Sequence, residues 1–546
     1  MIKQEVSRGI EYLKKKGIKS TIIRTRRHIA EERIYKKWAE QSEDVLEKQR
    51  NRKFAKNPMI SIVVPLYKTP VKYLKELIDS VEKQTYSNYE LCLADGTSEE
   101  SEITAVIKEY MENNPRIKYR LLEENKGISG NTNEALSMAS GEYIALADHD
   151  DLLVSSALYE IVRVINRKER VDVIYTDEDK TDETTSGFYM PHFKPDFNKE
   201  YFQANNYICH LFVVKREIAL ETGGFDSEFD GAQDYDFIWK CIEKSEVVYH
   251  IPKILYHWRC HSDSTAGKPE SKLYAYENGV KVLDSHYKRC GINAYTQCYP
   301  DAYGYYKTLS RDNAKTPVTI LYVGYGEKKM KTKYPHDTLE IEGYNIKEIN
   351  RLIKEQNNRY VLIIDKNGKY TTKGNIKTLM SYAMCEDIAV VGSRIYGNNR
   401  KLLFGGFIFG ANDYFGYAFE GADIADRGYY LRICMPQETL GVCGNSMLID
   451  TEYFNKVGGF FEGFSFNMSV ADYCMKIRNI AGKRIVYVPD VIFTMNARRC
   501  HDYRKDEIEA FRKRWKIEIE KGDPFYNRNL TLKNTDYSLK KKGIKN

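Results

Sequence analysis

The sequence predicts an α/β protein of two successive domains, and three observations carry that prediction. Between residues 60 and 151, apolar strand-like runs alternate with stretches of helical periodicity. The strands in that stretch end in polar, largely acidic residues. A segment at 223–258 returns in altered form at 458–496.

Each element has its own signal. Pro58 opens the change of texture, and ISIVVPLY (60–67) reads as a buried strand. Val71 to Gln84 has helical spacing, YELCLAD (89–95) is a second strand, and a helix runs to about Asn113. YRLLEEN (119–125) is expected as a third strand, NTNEALSMA (131–139) as a helix, and EYIALADHDD (142–151) as a fourth strand. Such alternation implies βαβ units and a parallel sheet. Ligands of these sheets lie beyond the C-terminal strand ends. Here those ends carry Tyr67, Asp95, Asn125 and Asp148 to Asp151.

Composition bounds the remaining possibilities. The 546 residues are 42% hydrophobic and 29% charged, enough for a large core without disulfides or metal. No run approaches the roughly eighteen apolar residues of a transmembrane helix, and the N-terminus has no secretory pattern. Eleven cysteines without a C-x-x-C pair argue against a disulfide framework or a structural zinc site and for a reducing cytoplasm. The balance of 84 basic against 77 acidic residues gives +7, too modest for nucleic-acid binding, and no nucleic-acid motif is present. Basic residues gather at the two ends, as at Lys14–Lys16 and Lys540–Lys542. Residues 1–57 therefore read as a helical basic extension, either packed on the body or making a peripheral membrane contact.

The expected domains are 58–295 and 317–515, with a linker at 296–316 and a tail at 516–546. The repeat supports two α/β domains. GGFDSEFDGAQDYDFIWKCIEK (223–244) resembles the segment beginning GGFFEGFSF at 458, and EYIALADHDD resembles RYVLIIDKNG (359–368). A separation above 200 residues indicates domain duplication rather than a solenoid.

Several clusters carry chemistry. Asp148, Asp150 and Asp151 put three carboxylates at the end of an apolar strand, a charge that Mg²⁺ or Mn²⁺ would neutralise; a helix cap is the plainer reading. LYHWRCH (255–261) supplies His257 and His261, and His257 could complete a cation site with Asp150. Asp234 precedes a predicted helix and is the better candidate for a general base, while Asp236 suits a cap. TDEDK (176–180) reads as an acidic loop, most simply an exposed turn.

Six motifs in order, SIVVPLYKTP, ELCLADGTSEE, ENKGISGNTNEAL, GEYIALADHDDLL, GGFDSEFDGAQDYDF and IPKILYHWRCHSDSTA, resemble the inverting family 2 glycosyltransferases of the GT-A fold. The likeness spans roughly residues 30–540 and is greatest to two-domain bacterial enzymes of polysaccharide and O-antigen assembly, many described as rhamnosyltransferases. That resemblance implies a nucleoside-diphosphate sugar donor, dTDP- or UDP-linked, a glycan or lipid-linked glycan acceptor, and a divalent metal. It implies that Pro65 and Tyr67 border the nucleotide and that Asp95 bonds the base. Asn125, Gly127 and Asn133 would line the ribose and diphosphate, and Asp148 would contact ribose or donor sugar. Asp150 and His257 would bind metal, and Asp234 would be the catalytic base. Arg259, His261, Ser264 and Thr265 would lie in a loop closing over the diphosphate.

The second half departs from this pattern. Asn367 and Lys366 stand opposite Asp150 and His149, Ser469 or Val470 opposite Asp234, and Thr494 opposite His257. The expectation is a degenerate, catalytically silent GT-A-like domain. Two other functions compete with this reading: a non-catalytic glycan-binding or scaffold subunit, and a sugar-1-phosphate nucleotidylyltransferase. PLYKTP lacks the Gly- and Arg-rich loop of the latter.

Overall fold

The computed structural model describes residues 25, 35, 42–261, 273–310, 316–327, 330–497 and 503–540. Of the extension before residue 42, Thr25 and Tyr35 are described, both helical; the rest of that expectation lies outside the described residues. The chain divides into two compact units. One comprises Glu32–Phe197 and Phe202–Arg311, and the other the chain after Asp312 with Asn198–Tyr201.

The first unit is built on β1 (Ile60–Leu66), β2 (Tyr89–Asp95), β3 (Ile117–Leu121), β4 (Tyr143–Leu146), β5 (Leu152–Leu153), β6 (Val173–Asp182), β7 (Phe188–His192), β8 (Phe212–Lys215) and β9 (Val248–Cys260). Their order is β3-β2-β1-β4-β8-β6-β9-β5, with β7 on β6. As the alternation predicts, β3, β2, β1 and β4 are parallel. Beyond them the sheet is mixed: β8 runs antiparallel to β4 and β6, and β6 is parallel to β9. β1 and β2 are buried almost throughout because helices cover the sheet. The helix Val71–Glu82 turns Leu74, Leu77, Ile78 and Val81 inward at helical spacing. The third strand stops at Leu121 rather than Asn125, since Glu123, Glu124 and Asn125 are exposed.

Part of the expected linker belongs to a hairpin. β10 (Ala294–Cys298) and β11 (Tyr306–Ser310) form an antiparallel hairpin within the first unit.

The second unit repeats the sheet of the first without a counterpart to β3. It holds β12 (Val318–Val323), β13 (His336–Glu340), β14 (Tyr360–Asp365), β15 (Gly368–Tyr370), β16 (Ile388–Gly397), β17 (Leu402–Phe404), β18 (Phe407–Phe409), β19 (Phe415–Tyr417), β20 (Gln437–Glu438), β21 (Ser446–Asp450) and β22 (Arg484–Met495). The order β13-β12-β14-β21-β16-β22-β15 matches β2-β1-β4-β8-β6-β9-β5, and β17 joins β16 as β7 joins β6. Strand directions agree as well: β14–β21 and β16–β21 are antiparallel and β16–β22 parallel. The C-terminal tail is packed rather than loose, with Phe525, Tyr526, Leu530, Tyr537 and Leu539 buried.

Two polar devices recur in both units. The Asn133 side chain donates to the Phe225 carbonyl at 2.8 Å and accepts from its N–H at 2.8 Å; Asn350 does the same to Phe460 at 2.8 and 2.9 Å. Gly224 and Gly459, both at positive φ, precede those phenylalanines, and a Cβ there would lie 2.5 and 2.9 Å from the two asparagine oxygens. Lys240 reaches Asp236 at 2.9 Å and the Gly224 carbonyl at 2.7 Å, while Lys476 pairs with Asp472 at 3.6 Å and bonds the Gly459 carbonyl. Asp236 therefore corresponds to Asp472, which places Asp234 opposite Val470 and excludes Ser469. Replacing Asn133 or Asn350 with alanine strands a backbone N–H and C=O together. Each variant should lose about 2 kcal/mol or more, seen in urea as an earlier transition of the unit that carries it.

Candidate active site

β4 delivers Asp148, Asp150 and Asp151 to the end of the first sheet. Asp151 is buried, accepts the Arg259 N–H and the Tyr256 hydroxyl, both at 2.7 Å, and so acts as a structural anchor. Burial and the Asp150 and Asp148 charges hold its carboxyl well above the usual range. Asp150 Oδ2 lies 2.9 Å from His261 Nε2. Burial opposes its charge, but His261 and His149 hold its pKa below the ordinary value. The Asp148 side chain is 46% accessible, with His210 Nε2 at 3.8 Å. Desolvation there, together with Asp150 and Asp234, raises its pKa against the pull of His210 and His149.

β6 brings a second set. TDEDK is a buried strand rather than an exposed turn, because each acid finds a partner inside. Asp177 accepts from the Lys194 N–H at 2.9 Å and lies 2.8 Å from His250 Nε2. Glu178 lies 3.1 Å from the ammonium of Lys194, which is fully buried and also bonds the carbonyls of Ile208 and His210 at 3.1 and 2.5 Å. The His210 N–H also donates to Glu178. Burial alone would raise Glu178, but Lys194 and the nearby histidines bring it down to about 2. Burial pushes His192 down to about 4, so it is neutral at neutral pH and Lys194 supplies the charge. Asp179 accepts from Tyr35 and lies 2.5 Å from His257 Nδ1, whose ring stacks on Phe188 at 3.8 Å.

Opposite stands Asp234, in the first turn of the helix Gln233–Glu243. Asn206 Nδ2 donates to its Oδ2 at 2.9 Å. Asp234 and Asp148 both act on the half-buried Cys209 thiol, which desolvation and these charges push well up. The segment Cys209–His210 thus lies where the β4 acids and the helix carboxylate converge.

The remaining predicted residues divide. Pro65 lies in β1, and Tyr67 follows it, 43% exposed. Asp95 ends β2 fully buried, accepting from Thr97 at 2.6 and 2.9 Å and from the Tyr119 hydroxyl at 3.0 Å. Asn125 accepts from the Gly127 N–H at 3.1 Å and from Asn131 at 3.0 Å, shaping the turn into the helix Gly127–Ser137. Asn133 is committed to Phe225 at both ends of its amide, which corrects its expected place along the ribose and diphosphate. Arg259 is likewise corrected. It lies inside β9, fully buried, and its guanidinium is taken up by Glu76 at 2.5 Å, Thr185 at 2.8 Å and the Asp150 carbonyl at 2.5 Å. It therefore braces the acidic turn from behind. Ser264 and Thr265 lie outside the described residues.

His210, Lys194, His192 and Asn206 are additions that the sequence did not single out. Asp148, Asp151 and His210 offer ligand atoms within 4.8 Å of one another. Both Asp151 oxygens are already engaged, so Asp148 and His210 are the more available pair. Asp150 adds a carboxylate, and His257 is oriented by a carboxylate in the manner of metal-bound imidazoles. Carboxylates together with an imidazole are a donor set that suits Mg²⁺ or Mn²⁺.

The strand order brings the acidic end of β4 and the helix carboxylate Asp234 to one edge of the first sheet. Residues 61–223 match the family described as Glycosyl transferase family 2, and this segment is a domain of that family. Over 543 residues the chain is 29% identical to the uncharacterized protein y4gI of Sinorhizobium fredii, covering 89% of this chain and 59% of that one. It is 24% identical to the O-antigen biosynthesis protein RfbC of Myxococcus xanthus, over 90% of this chain and 42% of that one. Chondroitin synthase of Escherichia coli is 29% identical over 44% of this chain and 34% of its own length. The chain thus spans about half the length of the first two relatives.

Removing one partner of the Glu178–Lys194 pair leaves a buried charge. Lys194→Met should cost about 3–5 kcal/mol, read by thermal or urea unfolding, and Glu178→Gln together with Lys194→Met should recover much of that loss. Because folding depresses Glu178, its contribution is complete above its ordinary value of 4.5 and is lost as pH falls toward about 2. The wild type should show this acid-side loss in unfolding experiments, and the double variant should lack it.

Proposed function

We propose that the chain is a metal-dependent, inverting hexosyltransferase. It would move a sugar from a dTDP- or UDP-linked donor to a hydroxyl of a glycan, lipid-linked as it grows, in bacterial cell-surface polysaccharide synthesis on the cytoplasmic side of the membrane. The names of the O-antigen and chondroitin relatives support the polymer class. No described helix is long and apolar enough to cross a membrane, consistent with an enzyme that meets a lipid-linked acceptor from one side.

The observation that carries the proposal is the opposition of two unlike carboxylate sites. The Asp148–Asp151 turn lies at the strand end, and Asp234 faces it from a helix, both acting on Cys209. The first is the donor side and the second the acceptor side. As the acceptor oxygen bonds to the anomeric carbon, its proton passes to Asp234. The bond from that carbon to the diphosphate oxygen breaks, and its electron pair leaves with the nucleoside diphosphate. One displacement inverts the carbon. Asn206 holds the Asp234 carboxylate in place, and Arg259 fixes the turn bearing Asp150. Asp148 and Asp150, with an imidazole of His210 or His257, would hold Mn²⁺ or Mg²⁺, which neutralises charge on the leaving diphosphate. Tyr67 would face the nucleoside, and Asp95, buried behind it, would hold Thr97 and Tyr119.

Two variants test the assignment. Asp150→Ala should abolish Mn²⁺-dependent calorimetric binding of UDP or dTDP along with turnover; full metal-dependent affinity would refute the metal role. Asp234→Asn should keep donor binding and lower kcat by about 10² or more. Near wild-type kcat would move the base elsewhere. The second unit carries Asn367 and Val470 at these places, so the full-length chain with Asp150 and Asp234 both replaced by alanine should show no metal-dependent transfer.

A further inference from the structure

On the Asp234 side of the first unit, tyrosine rings come to the surface. Tyr303, in the turn of the β10–β11 hairpin, is 50% exposed, and Tyr274, in the first turn of the helix Leu273–Arg289, is 52% exposed. Exposed rings scattered singly need no explanation. These two are each built onto the residues that carry Asp234.

The Tyr303 ring stacks on that of Tyr276, with centres 5.1 Å apart and planes at 23°. The next residue in the turn, Gly304, presents its carbonyl to Asn205 Nδ2 at 2.8 Å, and Asn205 bridges to Tyr305. Its neighbour Asn206 donates to Asp234 at 2.9 Å. One pair of asparagines therefore ties the hairpin turn to the carboxylate. Below the turn, Tyr306 is buried, its ring centre 6.1 Å from that of Tyr235, which follows Asp234 in the chain. A Cβ on Gly279 would lie 1.8 Å from the Tyr306 hydroxyl, so only glycine lets the helix and the hairpin approach this closely. Tyr274 packs on the turn that leads into the helix of Asp234. A Cβ on Gly231, at φ +89°, would lie 2.8 Å from its ring, and Asn278 donates to the Asp230 carbonyl at 2.8 Å.

A pyranose ring has a face of C–H groups whose hydrogens carry partial positive charge, and the face of an aromatic ring is negative. Such rings receive sugars, and the ligand expected beside Asp234 is a sugar hydroxyl. Tyr303 is already held by Tyr276, so little side-chain freedom is lost when a sugar covers its open surface.

We propose that Tyr303 and Tyr274, with Tyr276 behind the first, form a platform for the acceptor glycan, stacking on sugar rings next to the one whose hydroxyl gives its proton to Asp234. The inference rests on the reading of Asp234 as the base on the acceptor side.

The full-length protein in EDTA, applied to an array of bacterial surface oligosaccharides of graded length, tests the platform. Wild type and Asp150→Ala should bind, longer chains more tightly. Tyr303→Ala and Tyr274→Ala should each weaken binding about three- to tenfold, and the double variant further, while Tyr303→Phe retains it. None of the tyrosine variants should change Mn²⁺-dependent binding of UDP or dTDP. With the oligosaccharide so identified as acceptor, the alanine variants should raise its KM and leave kcat unchanged. If alanine lowers the thermal midpoint, Tyr303→Leu, which keeps an apolar cover on Tyr276, should still lose binding. No glycan bound by wild type, unchanged binding in the double variant, retention in Tyr303→Leu or loss in Tyr303→Phe would each overturn the proposal. So would capture of phosphatidylglycerol vesicles that the double variant abolishes without any glycan binding, which assigns the rings to lipid. Failure of the base assignment reads differently, as near wild-type kcat in Asp234→Asn with glycan binding intact.

Discussion

One fully buried ammonium ties together the two sides of the candidate site. Lys194 binds Glu178 and the carbonyls of Ile208 and His210, so it joins the acidic end of β6 to the segment that leads into β8. That segment places His210 beside Asp148 and Cys209 within the fields of Asp148 and Asp234. A lysine and a glutamate taken out of water gain little net stability from each other. What they provide is position. The extra bonds to two carbonyls and the His210 N–H satisfy the remaining polar atoms, which is what makes such a buried pair tolerable.

The second unit shows what happens when that arrangement is no longer kept. Its ladders put Arg394, Ile395 and Tyr396 at the places of Asp177, Glu178 and Asp179, and Phe404 at that of His192. Thr494 replaces His257, as the pairing of Lys369 with Thr494 and of Leu152 with His257 confirms. The loss is concerted because deleting one member strands its partner, whereas replacing a whole network with apolar groups is nearly neutral. The Asn350–Phe460 staple and the Asp472–Lys476 pair survive beside these losses. By this comparison Asn133 and Asp236 have counterparts in the second unit, Asn350 and Asp472, whereas Asp150 and Asp234 do not.

Much of this was legible in the sequence. Apolar runs at βαβ spacing gave four strands and their parallel order, since period and length alone distinguish buried strands from helices. The Asp148–Asp151 turn, Asp234 and the substitutions Asn367, Lys366 and Thr494 were visible because each sits at a fixed offset from a strong apolar strand or helix. The repeat was visible for the same reason, as buried positions vary least in character. The mixed part of the sheet was not legible, because antiparallel and parallel pairing of β8 and β9 depends on long connections that carry no local signal.

Burial of charge was decided by tertiary structure alone. TDEDK reads as solvent-exposed because four charges in five residues cost too much inside a protein unless compensated. The compensation comes from Lys194, His250 and His257, which lie 16 to 78 residues from the acids they meet and reach the strand only after folding. Arg259 was expected over the diphosphate through the family resemblance alone, but the fold engages its guanidinium with Glu76, Thr185 and the Asp150 carbonyl. The sequence by itself determined which residue types reach the strand ends. Only the folded chain decided which of them are spent on one another and which remain for a ligand, because a hydrogen bond or ion pair is set by distance in space and leaves no trace in local pattern.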